Sequence, residues 1–306
     1  MAYELSEAKA IAVIATIRSK IQQYFAANHL KYAVLGKSEG LDSSVIAGLV
    51  AGIEGIQPIG VIMPAESKPE AETIAREVLE HFQIPALKID LTQAFVQIKE
   101  LLRAPNQLED QLTNVVRMLG DHKALERMET RRPIAYGNIK VRLRMVTLYH
   151  LAQLLQGVVM STDNFSEYWM GFWTINGDVG DIAPIQQIFK GNELYTIGKV
   201  LGVPVSSLNA IPSDGLGVTR NSYDHEQLGM QYRDLDQVIV GMLKGEYQSE
   251  TESMRADMVE KLSEQLQLPS AAVKSVGNRL LATEFKRHWP VVFTREELGL
   301  PPVGEL

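Results

Sequence analysis

The chain has 306 residues, 45% of them hydrophobic and 22% charged, with a formal net charge of −7 at pH 7. This is an ordinary globular balance, and the negative charge argues against nucleic-acid binding driven by bulk charge. The absence of cysteine excludes disulfides, thiolate metal sites, cysteine nucleophiles and a cysteine-dependent glutaminase within the chain. The histidines are scattered without metal-ligand spacing, so any metal is expected to be a hard cation held by carboxylates and phosphate. Met1-Ala2-Tyr3-Glu4-Leu5-Ser6-Glu7 is acidic and lacks a signal-peptide pattern, and no apolar run approaches membrane-spanning length. A cytoplasmic protein that binds neither membrane nor nucleic acid is expected.

Ile11, Ile14, Ile17, Ile21 and Phe25 recur at helical spacing and predict one long helix over 5–29. The apolar, β-prone Tyr32-Ala33-Val34-Leu35 predicts a strand over 31–35. A small-residue turn, Gly36–Ser43, then leads into a helix containing Val45-Ile46-Ala47-Gly48-Leu49-Val50. Such a junction gathers unpaired backbone N–H groups and the positive end of a helix dipole, which suits an anion and above all a phosphate. It is not a Walker loop, because Lys31 stands where that motif needs its first glycine, and no G-x-G-x-x-G is present.

Gln57–Pro64 reads as a second, buried strand, 68–82 as a helix, and Pro85–Asp90 as a third strand. Alternating strands and helices predict a doubly wound parallel sheet, in which ligands bind at the carboxyl ends of strands. Residues 91–132 read as mostly helical, broken at Arg103-Ala104-Pro105-Asn106. The charged run from Asp121 to Arg132 suits either a solvated helix or a lid over a nucleotide. Gly137 is expected to open the next helix, reaching about Leu155, with Lys140, Arg142 and Arg144 crowded toward its start. Cations are disfavoured there, so these form either an exposed basic face or a cluster aimed at a polyanion.

Gly157–Asn164 reads as a strand ending in a polar turn. Tyr168-Trp169-Met170-Gly171-Phe172-Trp173-Thr174 holds two of the three tryptophans and suits either a core patch or a stacking platform for a flat ring. Asn176–Asp181 is a glycine-rich acidic turn, and Lys190 precedes a helix over 191–201. Residues 211–223 are loop-like, and helices are expected over 233–243, 249–266 and 269–287. With no long repeat or flexible linker, residues 1–306 are expected to form one α/β domain with a helical C-terminal part and an extension from about 291.

Ser38-Glu39-Gly40-Leu41-Asp42-Ser43 resembles S-G-G-x-D-S, the pyrophosphate loop of the N-type ATP pyrophosphatases, with Glu39 in place of a glycine. Three further blocks narrow the resemblance. Asn138–Met145 is similar to N-x-K-A-R-x-R-M. Ser161-Thr162-Asp163 through Thr174 and Gly177-Asp178 is similar to G-T-D…E…G-F-F-T…G-D-G-G. Thr283-Glu284-Phe285-Lys286-Arg287 is similar to a C-terminal E-H-K-R element. Together, in order and with similar spacing over most of 5–290, they resemble the ammonia-dependent NAD synthetases.

The resemblance implies an adenine nucleotide alpha hydrolase-like fold, and a ligase that uses ATP and Mg²⁺ to adenylate the nicotinate carboxylate of deamido-NAD. Ammonia, free or from a separate glutaminase, then displaces AMP. It also implies a homodimer. ATP is expected at Gly36, Ser38, Gly40, Asp42, Ser43, Thr162, Lys190 and Ser213; Mg²⁺ at Asp42 and Glu167; and the dinucleotide at Arg142, Phe172, Asp181 and Lys286. No protein nucleophile is implied. Besides Glu39, the chain departs from the pattern at Asn164, Ile175 and Phe285, and the Gly177–Asp181 turn is one residue short. These departures leave open an adenylating ligase for another carboxylate, or a nucleotide-binding paralogue without catalysis.

Overall fold

A computed structural model describes residues 4–218 and 223–301. Expectations that fall on Met1–Tyr3, on residues 219–222 of the 211–223 loop and on the tail beyond 301 lie outside these. Helix α1 (Glu7–Ala27) starts at Ser6, whose hydroxyl accepts from the Lys9 N–H at 3.3 Å. It buries Ala10, Ile14, Ile21 and Phe25. Ile11, one step round the helix from that stripe, is 54% exposed.

Strand β1 (Tyr32–Gly36), helix α2 (Leu41–Val50), strand β2 (Gln57–Ile62), helix α3 (Pro69–His81) and strand β3 (Ala86–Lys88) follow. With β4 (Val158–Met160) they make a parallel sheet of order β3-β2-β1-β4. Leu35 lies opposite both Gly60 and Met160. A glycine is needed at position 60: a Cβ there would come within 2.4 Å of Leu79 on α3. Helices cover both faces of the sheet. Phe25, Leu35, Ile46 and Ile197 share one core, and Val34, Val61, Leu148 and Val159 share the other. The expected doubly wound sheet is thus the fold found.

The expected break at 103–106 separates α4 (Thr92–Arg103) from α5 (Leu108–Met118). Helix α6 corrects an expectation. It begins at His122, capped by the Asp121 side chain, and runs unbroken to Leu155 through both Pro133 and Gly137. Helices α4 and α5 pack on it, and such contacts override single breaking residues. Lys140, Arg142 and Arg144 therefore sit mid-helix, where the end-dipole argument has no force.

Beyond β4 come α7 (Phe165–Met170), a π-helical turn (Lys190–Leu194), α8 (Tyr195–Leu201), α9 (Val205–Leu208), α10 (Asp224–Leu228) and α11 (Tyr232–Lys244). Then follow α12 (Glu252–Leu266), α13 (Ser270–Ala282) and α14 (Glu284–Arg287). The helix expected over 269–287 is divided at Thr283. Leu235, Ile239, Val273 and Leu280 build a third core around Met170 of α7, joining the C-terminal helices to the end of the sheet. Among the described residues no helix is long and apolar enough to cross a membrane.

Candidate functional site

The carboxyl ends of β1, β2 and β4 open into a cleft of about 1310 Å³. A single drug-sized ligand needs roughly 300–1,000 Å³, so two reactants fit side by side. The 36–43 loop forms its floor. Gly40 caps α2 in an extended conformation with no side-chain cap, which leaves the first N–H groups of the helix without a built-in acceptor. The Gly40 N–H donates to Ser38 Oγ at 3.2 Å and the Ser38 N–H to Ser43 Oγ at 3.3 Å. Both are long bonds that an anion can replace. Glu39 is not among the residues with positive φ, so a loop position usually held by glycine makes no demand here that a side chain cannot meet. Lys37 lies buried at the edge of this loop.

At one end of the floor a single ammonium faces three carboxylates. Lys190 Nζ lies 2.9 Å from Asp42 Oδ2, 3.2 Å from Glu167 Oε1 and 3.6 Å from Asp224 Oδ2. Burial acts to lower the Lys190 pKa, but these carboxylates outweigh it and hold the ammonium well above its ordinary value. One cation among three anions leaves negative charge uncompensated. Burial, reinforced by Asp42 and Asp224 and opposed by Lys190, pushes Glu167 up to about 8. Asp224 is also raised by burial, and its Oδ1 is buried with no hydrogen-bond partner among the described residues.

The arrangement is held from behind. Asn164 caps α7 in a capping box with Glu167, and its Nδ2 donates to Asp42 Oδ1 at 2.8 Å. One side chain thus aligns both expected metal ligands. Ser166 donates to the buried Asp236 at 2.5 Å and accepts from the Lys190 N–H at 3.0 Å. Asp236 also accepts from the Gly191 N–H at 2.8 Å and Asn192 Nδ2 at 3.1 Å, which fixes the π-helical turn that presents Lys190. Any side chain at Gly191 would collide with the α11 backbone at 2.4 Å.

A hard divalent cation fits this end of the cleft. No group of three or more His, Asp or Glu among the described residues forms a ready metal site. Asp42 and Glu167 nevertheless both reach the one Lys190 ammonium with negative charge left over, and an ion that keeps water and takes phosphate oxygens needs only one or two carboxylates.

The opposite wall comes from α6 and the 171–178 turn. Arg144 Nε donates to the Met63 carbonyl at 3.2 Å, and burial lowers its pKa. Asp163 accepts from Ser161 Oγ at 2.8 Å, and burial, with Asp178 nearby, pushes it up to about 7. Lys286 Nζ donates to the Gly171 carbonyl at 2.7 Å and to that of Trp173, so this lysine clamps the aromatic turn. Phe172 faces the cleft under Arg279, 5.3 Å from its ring.

Of the expected residues, Gly36, Ser38, Gly40, Asp42, Ser43, Thr162, Glu167, Phe172, Lys190, Ser213 and Lys286 all line the cleft. Arg142 and Asp181 do not. Arg142 donates to the Ile175 carbonyl at 3.1 Å, while Asp181 accepts from Tyr149 Oη at 3.0 Å and the Val159 N–H at 2.8 Å. Both lie on an outer face beside exposed Val146 and Tyr149. Sequence reasoning missed Asp224, Tyr232 and Asp236. Their only local signal is an acidic residue opening or facing inward on a short amphipathic helix.

Residues 13–290 match the NAD synthase family. An NH(3)-dependent NAD(+) synthetase of Mesoplasma florum is 31% identical over 258 residues, covering 84% of this chain and 90% of that one. Among solved structures, an NMN synthetase from Francisella tularensis superposes with a TM-score of 0.69 at 22% identity, over 93% of this chain and 98% of that one. An NH3-dependent NAD synthetase from Campylobacter jejuni gives 0.66 at 19% identity, over 93% and 99%. The superpositions speak for the fold alone. The match along 13–290 and the identity to the Mesoplasma protein go further, and with the loop and helix blocks at their expected places they show that this chain belongs to the NAD synthase family.

Proposed function

We propose that the chain is an ammonia-dependent NAD synthetase, which amidates deamido-NAD at the expense of ATP. The observation that carries this reading is the single cleft in which a phosphate-sized loop, a cation-seeking carboxylate pair and the Lys190 ammonium converge, with room for a second reactant. In the reaction, an oxygen of the nicotinate carboxylate attacks the α-phosphorus of ATP and pyrophosphate leaves. Ammonia then attacks the acyl carbon, the acyl–oxygen bond breaks, and AMP departs.

Ser38, Gly40 and Ser43 would hold the departing phosphates on the loop and the α2 N-terminus, where N–H donors meet growing negative charge. Lys190 would supply a fixed positive charge beside them; because it is buried, that charge is worth more than in solution. Thr162 and Ser213 would line the nucleoside end. Phe172 and Lys286 would bound the acceptor. Asp163, held near neutrality, is the cleft carboxyl suited to take a proton from ammonium. Asp42 and Glu167 would hold Mg²⁺, whose chemistry there would be to offset the negative charge of the phosphates.

The non-catalytic reading rested on Glu39. The left-handed geometry that would exclude a side chain there is absent, and Arg144 and Lys37 face its charge. The outer face bearing Arg142, Val146, Tyr149 and Asp181 is proposed as the surface of a homodimer, through which the dinucleotide would reach the two residues outside the cleft. The chain is proposed as one domain with an extension from about 291. Incubation with ATP, Mg²⁺, ammonium and deamido-NAD should give NAD and AMP in equal amounts, and the protein should sediment at twice its chain mass. NAD formation that is not above background would refute the assignment, and a monomeric active enzyme would refute the dimer.

A further inference from the structure

The resemblance to S-G-G-x-D-S accounts for Ser38, Gly40, Asp42 and Ser43, but not for the charged residues between and before them. Glu39 puts a carboxylate on an anion-binding loop, where it opposes a phosphate. Two residues earlier stands Lys37, whose side chain is only 4% exposed although it lies on the same loop. Its Nζ donates to the Ser38 carbonyl, to Ser43 Oγ at 3.1 Å and to Ser44 Oγ at 2.8 Å. Ser44 Oγ meets Ser207 Oγ at 2.6 Å, and Ser207 in turn donates to the Glu39 carbonyl at 2.8 Å. The amine is therefore tied to both ends of the loop, and through Ser207 to the backbone of Glu39 itself.

We propose that Lys37 is a positioning residue of the anion loop, which acts through Ser43 and offsets the charge of Glu39 when a polyphosphate is bound. The inference rests on the ATP-dependent reading above. The first part follows from donor arithmetic. A serine hydroxyl has one proton to give. With the Lys37 amine donating to Ser43 Oγ, that proton is directed away from Lys37. It now goes to the Ser38 or Gly40 carbonyl, at 3.3 and 3.1 Å, and is available to a phosphate oxygen instead.

The second part follows from charge. The charged groups facing Lys37 are Glu39 on the loop and Asp42 on α2, both of which favour its protonated form. Arg144 of α6 acts on Glu39 from another side. On β2 the Lys37 N–H bonds the Val61 carbonyl at 2.9 Å, and on α9 uncharged Ser207 is linked to the amine through Ser44. Burial nevertheless lowers the amine to about 7 against the pull of Glu39 and Asp42. A triphosphate arriving on the loop adds negative charge and draws a proton onto Lys37. The amine, partly protonated in the empty loop, thus becomes fully the three-donor ammonium when an anion is there to need it.

The test is titration calorimetry of ATP without metal at pH 8, where the nucleotide is fully ionised, in buffers of different ionisation enthalpy so that proton uptake is read directly. Lys37→Gln keeps two N–H donors and removes the charge; Lys37→Arg keeps the charge and cannot titrate. The glutamine variant should weaken ATP binding about tenfold and take up fewer protons than the parent. The arginine variant should retain affinity yet also take up fewer protons. Glu39→Gly should strengthen binding more in the Lys37→Gln background than in the parent, because there no amine loses its partner. Uptake unchanged in both Lys37 variants overturns the inference, as does an equal gain from Glu39→Gly in both backgrounds. Absence of ATP binding by the unsubstituted chain would remove the ATP-dependent reading and this inference with it. ATP binding indifferent to Lys37 would leave that reading standing and remove only the inference.

Discussion

At the level of single residues, the cleft is defined by ionisable groups displaced from their ordinary behaviour by burial. Asp163 is the clearest case, because at about 7 it changes charge in the working range. As a proton acceptor it must be ionised, so the activity it supports should rise with pH through about 7 and level off above. Asp163→Asn should lower kcat by about 10²-fold and remove that limb from the pH–rate profile, while ATP binding changes little. A parent-like pH profile in the variant would show that Asp163 does not exchange the proton. Asp163 was legible only as part of the T-D pair. Its displacement depends on Asp178, fifteen positions on, and on burial, neither of which a linear motif displays. Asn164 shows the reverse. As a departure from the family pattern it looked like a loss, yet in the fold it caps α7 and holds Asp42.

At the level of elements, the π-helical turn carries the site. An ordinary helix was expected to begin at 191, just after Lys190, since hydrophobic spacing does not distinguish the wider turn of Lys190–Leu194 from an α-turn. What fixes it is Asp236, on α11, a contact across more than forty residues. Burial raises Asp236 from 3.8 to about 6, against its hydrogen bonds from Ser166, Gly191 and Asn192. The sign follows from linkage. The folded state prefers the protonated group, so its share of stability is full below about pH 4 and is lost as the pH rises through about 6. In urea unfolding, the stability of the parent minus that of Asp236→Asn should therefore fall between pH 4 and about 7. A difference independent of pH would contradict the burial of an ionising Asp236. Helix α6 teaches the same lesson on a larger scale. Pro133 and Gly137 are local breakers, yet the helix runs on through both, packed against α4, α5, β1 and β4.

For the whole molecule, the parallel sheet was readable because its strands are short apolar runs between turn residues, and that pattern survives in any tertiary context. The cleft at the strand ends followed from topology. The third core was less legible. Helices α11–α13 were expected, but not that they close on Met170 and so deliver Tyr232 to Glu167 and Asp224, and Asp236 to the Lys190 turn. The two expected residues outside the cleft, Arg142 and Asp181, instead brace the Ile175 carbonyl and the start of β4, on the face proposed for the homodimer. What unites these levels is the claim that the cleft exists to convert a carboxylate into an acyl-adenylate. Deamido-NAD labelled with ¹⁸O in its nicotinate carboxylate, incubated with ATP, Mg²⁺ and ammonium, should transfer one labelled oxygen to the AMP released with each NAD. Label found in inorganic phosphate or pyrophosphate, or unlabelled AMP accompanying NAD, would contradict adenylation of the carboxylate as the step this structure performs.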